Sequence, residues 1–469
     1  MKPKNPAPST DVPALQARVL QQQQRSAQHQ ATIVSLRDDL NARKAEINRL
    51  RARLDKLRLM PPDLPREERC LAPREATCPA CGGELKPLDG EVSEQLEFLE
   101  NVFKVIETRR TRKTCVRCDV IVRAPVPRHA IERGIAGPGL LSRVITAKYA
   151  EHMPLHSLSD SFARQGVALS RGTMTGWAGL CGNLLAPLAD AVCGYVMSAD
   201  KMHIADASAE VAQPGCGKPK NGRLWVYVRD DRNAGVTLPP AVWFTYSPGR
   251  KGGYPPTRQA GSSGRTPTDA GAGFDPLHEE SPVREVDSMA FARRKILDIH
   301  RRHPSPVAAE ALARIGELYA IEAAIRGRPA KERQQMREAR SRPLLVNLES
   351  WIREQLTRLP RQADTAKMFS YLINRWPALS RYAGDGWAEI DNTIAENALR
   401  EVSPGPNNDL FMESDRDGER AALMFTLIGS CHLNGVEPEA YLRHVLATVA
   451  DHPVNKIVEL LPWHLRVPA

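Results

Sequence analysis

"MHIADAS" (Met202–Ser208), "RLWVYVRDD" (Arg223–Asp231) and "AVWFTYSP" (Ala241–Pro248) read as three strands of one sheet. The second and third are rich in β-branched and aromatic residues, which suit a pleated, half-buried surface. The flanks have a different period. Gly137–Leu188 is patterned as helix, and beyond a Gly/Pro/Ser-rich stretch, Gly249–Gly273, helices are expected to resume near Glu285. The middle of the chain is therefore expected to be an α/β region with Asp206 on its first strand.

Late in that region stands "EIDNTIAENALR", Glu389–Arg400. Read as helix at about 100° per residue, it places Glu389, Asn392, Thr393, Glu396, Asn397 and Arg400 on one face. Ile390, Ile394, Ala395, Ala398 and Leu399 take the other, and Asp391 fits an N-cap. Most charged helix faces are simply solvated. A different chemistry opens if Glu396 meets strand or loop aspartates at one sheet edge. Gathered carboxylates repel unless cations sit between them. Two Mg²⁺ ions about 3.5–4 Å apart would relieve that repulsion and activate oxygens for phosphodiester chemistry. From composition alone, the choice among the acids is open.

At 469 residues, two to four domains are expected. The 42% hydrophobic and 26% charged content excludes a disordered or fibrous chain. The net charge of +10 is clustered, as in "RRTRK" (Arg109–Lys113), "RRK" (Arg293–Lys295) and Arg326–Arg342, which favours a polyanionic partner such as nucleic acid. No run approaches 18 apolar residues and no apolar signal core precedes the heptads, so a cytoplasmic protein without membrane contact is expected.

The N-terminal part has its own pattern. After a Pro-rich, disordered start, Val12, Val19, Ile33, Leu40, Ile47 and Leu54 fall on heptad position a, and Leu15, Leu36, Leu50 and Leu57 on d. A coiled coil is expected, and hence a homodimer or a contact with a partner protein, with a helix packed on its own domain as the plainer alternative. A Pro-rich linker, Leu59–Thr77, leads to "CPACGGEL" and, after 33 residues between Cys81 and Cys115, "CVRC". Cys78, Cys81, Cys115 and Cys118 can complete a tetrahedral structural zinc site, with Gly82 and Gly83 suiting the turn and a hairpin filling the gap. Farther on, "RQGVALSRGTMTGW" resembles the turn and second helix of a helix-turn-helix, with Ser170 as N-cap.

The chain as a whole resembles bacterial DDE transposases of the insertion sequence 66 family. The resemblance rests on the heptads, the two Cys pairs, and "IERGIAGPGLLSRVITAKYAEHMPLHSLSDSFARQGVALSRGTMTGW". It continues through "GRLWVYVRDDR", "YSPGRKG", "ARRKILD", "EIDNTIAENALR", "DGERAALMFTLIGSCHLNGVEPEAYL" and "LLPWH". It implies a multidomain α+β protein. The expected domains are a disordered start and coiled coil (1–58), a four-cysteine zinc module (70–125) and a helical DNA-binding region (126–196). An α/β ribonuclease-H-like catalytic domain (197–425), with a helical insertion at about 305–380, and a C-terminal helical segment (426–469) would follow. It implies Asp206, Asp269 and Glu396 as the catalytic acids, holding Mg²⁺ or Mn²⁺ for DNA strand cleavage and transfer. Arg109, Arg110, Arg112, Lys113, Arg171 and Arg400 are the expected DNA contacts. The partners implied are the element's terminal inverted repeats, target DNA and accessory proteins of the same element, at the bacterial nucleoid.

The chain departs from the family pattern where Ala207 and Ser208 follow the first aspartate. It departs again at Ser288-Met289-Ala290-Phe291 and Gly405-Pro406-Asn407-Asn408. "GSSGRTPT" before Asp269 also has little strand propensity. These departures imply impaired activity, and a DNA-binding remnant without chemistry is the alternative reading.

Overall fold

The computed structural model describes residues 60–465 apart from 62, 127, 133, 213–218, 250–264, 269–283, 403–409 and 413, together with scattered helical positions between 21 and 47. Asp269, Gly405–Asn408 and every heptad residue except Leu36, Leu40 and Ile47 lie outside the described residues. Residues 1–64 and 65–469 form separate units. In the first, Leu36, Leu40 and Ile47 are helical and exposed.

The second unit begins with a small sheet. Strands β1 (Arg66–Leu71), β2 (Leu85–Leu99), β3 (Val102–Cys115) and β4 (Ile121–Arg123) take the order β1–β3–β2, with β4 on β3. The expected hairpin is β2–β3, and it turns at Glu100 and Asn101, both at positive φ (52° and 62°). Two positive φ values in a two-residue turn match the right-handed twist of the strands. At the turn end, Phe98 and Phe103 pack edge to face with rings 4.8 Å apart, and both pack on Phe162.

Three helices follow: α1 (Pro138–Tyr149), α2 (Leu155–Arg164) and α3 (Arg171–Met197). Glu97 of β2 fastens the start of α1. Its Oε1 accepts from the Leu140 amide at 2.9 Å and the Phe98 amide at 3.0 Å. Burial raises that carboxyl above its ordinary range even though the amides oppose the shift. Between α2 and α3, Gly166 turns the chain at φ 82°, and Ser170 Oγ accepts from the Thr173 amide at 3.1 Å, so Ser170 is the expected cap. Helix α3 is long and apolar enough by composition to cross a membrane. Met174, Cys181, Leu185, Leu188, Val192 and Val196 are nevertheless buried along it, and it packs on the central sheet.

That sheet holds the three expected strands, β5 (His203–Val211), β6 (Lys220–Arg229) and β7 (Ala241–Ser247). Two more are β8 (Arg265–Thr268) and β9 (Arg284–Asp287). Their order is β7–β6–β5–β8–β9; β5, β6 and β7 run antiparallel, whereas β8 lies parallel to β5 and β9 parallel to β8. Two expectations are corrected here. Residues 265–268 form a strand despite their weak propensity, because neighbours on both sides supply the ladder. Residues 284–287 are a strand too, and the helices resume only at Met289.

Helices α4 (Met289–Arg302), α5 (Pro306–Ile325), α7 (Arg342–Arg358) and α8 (Asp364–Ser380) build a core of their own around Ile296, Leu318, Leu348, Phe369 and Leu372, with the short α6 (Ala330–Met336) between α5 and α7 in the chain. A π-turn, Arg337–Ser341, joins α6 to α7. The chain returns to the sheet as α9 (Thr393–Val402), β10 (Leu410–Met412, parallel to β5), α10 (Asp415–Leu433) and α11 (Pro438–Thr448). Helix α10 covers the edge strand β7. The Val242 amide donates to Ser430 Oγ at 3.2 Å and the Phe244 amide to Thr426 Oγ1 at 2.9 Å, so edge amides that would otherwise invite another strand are satisfied.

Candidate functional site

The four predicted cysteines converge. Their Sγ atoms all lie within 4.8 Å of one another, with Cys81–Cys115 and Cys81–Cys118 at 3.4 Å and Cys78–Cys118 at 3.6 Å. A zinc ion about 2.3 Å from each sulfur requires sulfur separations of roughly 3.8 Å, so the cluster fits the ion. The same turn is used twice. Gly82 donates its amide to the Cys78 carbonyl and Cys78 donates to the Gly83 carbonyl; likewise Asp119 donates to Cys115 and Cys115 to Val120. The residue after the second cysteine is left-handed in both turns, Gly82 at φ 69° and Asp119 at φ 53°. Glycine adopts that conformation freely, and aspartate is among the few residues that tolerate it. The Arg117 amide, 3.4 Å from Cys115 Sγ, favours the thiolate and brings that thiol down to about 6.

The carboxylates are placed by the sheet and α9. Asp206 lies in β5, and its Oδ2 accepts from Arg223 Nη1 at 2.8 Å. Arg223 sits opposite Ser208 in the β5–β6 register, which brings it diagonally across to Asp206 on the same face. Helix α9 packs against β5 and β6 and carries Glu396 in its first turn. Glu396 Oε2 accepts from Arg294 of α4, and Arg400 Nη2 lies at 3.4 Å. Thr268, the last residue of β8, pairs with Ile204 of β5. Neither Arg223 nor Arg294 stood out in the sequence. Pairing arithmetic on the β5–β6 hairpin is the signal that would have found Arg223; Arg294 had none beyond its place in a basic cluster.

The polar face read from "EIDNTIAENALR" is corrected at its start. Helix α9 begins at Thr393, and the four residues before it are not on a solvated face. Glu389 is 7% exposed, with Oε2 2.9 Å from Arg333 Nη2 and Oε1 3.4 Å from Lys201 Nζ. These cations lower its carboxyl pKa against a strong opposing penalty from burial. Asn392 is buried, and its Nδ2 donates to the Ile204 carbonyl at 2.7 Å. Asp391 does act as a cap, accepting from the Thr393 amide at 3.0 Å.

The predicted DNA contacts divide. On β3, Arg109 pairs with Glu68 and Glu107, Arg110 and Arg112 with Glu91, and Lys113 Nζ donates to the Pro73 and Glu75 carbonyls. All four side chains have partners within the small sheet or its flank, and Arg109 is exposed as well. Arg171, the first residue of α3, is exposed, as is Arg400, whose Nη1 donates to Asn397 Oδ1 at 2.9 Å.

Residues 133–420 match the profile of the transposase IS66 family, residues 75–119 its zinc-finger binding domain and residues 426–463 its C-terminal element. The chain belongs to the transposase IS66 family. Three relatives come from Sinorhizobium fredii (strain NBRC 101917 / NGR234). Uncharacterized protein y4hP is 36% identical over 421 residues, 86% of this chain and 76% of its own length. Uncharacterized protein y4qI is 32% identical across 83% of this chain and 74% of its own length. For uncharacterized protein y4jD the values are 29%, 86% and 81%. The family domains imply a transposase, and the zinc-finger match coincides with the four-cysteine cluster.

Proposed function

We propose that this IS66-family chain cuts and joins DNA at the ends of an insertion sequence by metal-dependent phosphoryl transfer. The observation that carries the reading is the arrangement around β5. Asp206 lies on it, the helix α9 that carries Glu396 packs against it, and β8, the strand that precedes Asp269 in sequence, pairs with it. The strand order, three antiparallel strands with β8 and β9 added parallel on the β5 side, supports a ribonuclease-H-like catalytic domain.

Asp206, Asp269 and Glu396 offer the oxygen ligands that Mg²⁺ or Mn²⁺ prefers, and the arginines on Asp206 and Glu396 fit sites that need positive charge beside them. When bound, such ions activate an attacking oxygen and stabilise the leaving oxygen of a phosphodiester. The chain's own residues supply position. Arg223, Arg294 and Arg400 present guanidinium forks beside the carboxylates, a geometry suited to orienting phosphate oxygens. The zinc module and the α2–α3 pair bind the element's ends, with Arg171 facing the DNA. Leu36, Leu40 and Ile47 keep the exposed heptad spacing of a coiled-coil seam, which supports a homodimer. Accessory proteins of the same element and a place at the nucleoid belong to this reading.

Cleavage and joining of labelled DNA carrying the element's own ends tests it, with Mg²⁺ or Mn²⁺ present. Native protein is expected to nick and join, and Asp206→Asn to do neither. Intact end binding with no cleavage by the native protein would instead favour the inert DNA-binding remnant. Removing residues 1–58 is expected to convert a dimer to a monomer in light scattering; an undiminished mass would rule out the heptads as the dimer seam.

A further inference from the structure

We infer that Glu389 is a positioning residue through which the helical insertion sets the orientation of α9, and with it Glu396. The inference rests on the transposase reading above. The four residues that launch α9 are each tied, and the ties come from two directions. From the insertion, Arg333 Nη1 and Nη2 reach the two Glu389 oxygens at 3.2 and 2.9 Å. Tyr319 of α5 donates its hydroxyl to Asp391 Oδ2 at 2.9 Å; from α4, ahead of the insertion, the Met289 amide donates to the Ile390 carbonyl at 3.1 Å. From the sheet side, Lys201 meets both Glu389 and Asp231 at 3.4 Å, and the Ile204 carbonyl receives Asn392.

Arg333 is itself held in place. It follows Pro329 on the short α6 and lies one turn ahead of Arg337, in the π-turn, whose guanidinium is fully buried. Arg337 forms a fork with Glu322 of α5 at 2.8 and 2.6 Å and donates to the Tyr382, Asp385 and Ala388 carbonyls. The Ala388 carbonyl belongs to the residue just before Glu389, so one buried network holds the insertion's helices and the approach to α9 together. A π-turn places a side chain where a regular helix would not, and such turns are frequent at functional sites. Buried ion pairs add little net stability but fix geometry, because every alternative leaves a charge unpaired in a dry environment. Glu396 lies seven residues beyond Glu389, in the first turn of α9. A small rotation of the launch segment moves it, and about 1 Å of misplacement lowers catalysis on the order of 10²-fold.

The test compares full-length native protein, Glu389→Gln and Val445→Ala. The last is a core truncation in α11, outside the network. Amide hydrogen exchange over residues 393–402 is expected to speed at least about tenfold in Glu389→Gln and to stay native-like in Val445→Ala, although both lose thermal stability. Cleavage of labelled ends should fall by about 10²-fold in Glu389→Gln with end-binding affinity unchanged, and Glu389→Asp should recover part of it. Native protection of 393–402 in Glu389→Gln, or equal loosening in Val445→Ala, overturns the inference. If the native protein cleaves nothing, that counts against the transposase chemistry alone, and the exchange comparison still decides the role of Glu389.

Discussion

Glu396→Gln is expected to abolish strand cleavage, by about 10³-fold or more, while end binding and folding persist. The substitution keeps shape and removes only charge. In the proposed chemistry that charge holds a divalent ion, whose contribution to the barrier is several kcal/mol, and about 4 kcal/mol corresponds to the stated loss. The folding side is small. Arg294 and Arg400 are 50% and 64% exposed at the side chain, so their pairs with Glu396 contribute only ~0–1 kcal/mol after screening by solvent. Catalysis and stability therefore separate at this residue. A cleavage time course beside a thermal melt reads both. A variant that cleaves at a tenth of the native rate or faster would remove Glu396 from the machinery, whatever its melting temperature.

What was legible in the sequence followed from local rules. Two C-x₂-C turns announce a metal site because each pair needs only its own short loop, and the two knuckles repeat the same hydrogen bonds. The strands β5, β6 and β7 were legible because the central ladder is buried and its residues are apolar. The strand β8 was not: "RTPT" becomes a strand only because β5 and β9 flank it, and such pairing overrides weak propensity. The start of α9 failed for a related reason. Helical periodicity extends through Glu389 on paper, yet Asp391 caps the Thr393 amide and Asn392 turns to β5. Glu389, read onto the polar face, is then buried between Arg333 and Lys201, cations that stand 56 and 188 residues away in the chain. No window of sequence contains that pairing. Asp119 shows the same limit on a smaller scale, since a left-handed aspartate carries no glycine to mark it.

Chelating the zinc, or replacing Cys115 with Ser, is expected to melt one end of the small sheet and leave the other folded. The hairpin β2–β3 is supported unequally along its length. Near its turn, Leu96, Phe98, Phe103, Val105 and Ile106 are buried, the phenylalanines pack on Phe162, and Glu97 is fastened to α1. Near the cysteines, Leu88, Val116, Val120 and Ile121 are exposed, and the buried apolar side chains are the small ones, Cys78, Cys115, Val122 and Ala124. Structural zinc supplies about 10–16 kcal/mol of apparent binding energy to peptides that fold around it, far above what a few ladder hydrogen bonds contribute. Metal loss should therefore speed amide exchange in residues 76–88 and 111–123 by several orders of magnitude, with 95–106 remaining protected. Binding to the element's ends should weaken in parallel, because the knuckles are the part of the module that the metal shapes. Unchanged exchange in 76–88 after chelation, or in a Cys115→Ser protein that holds no zinc, would show that the hairpin folds without its ion. The Phe98–Phe103–Phe162 end would then have to be rigid enough to hold the far end of both strands, against the burial pattern along β2.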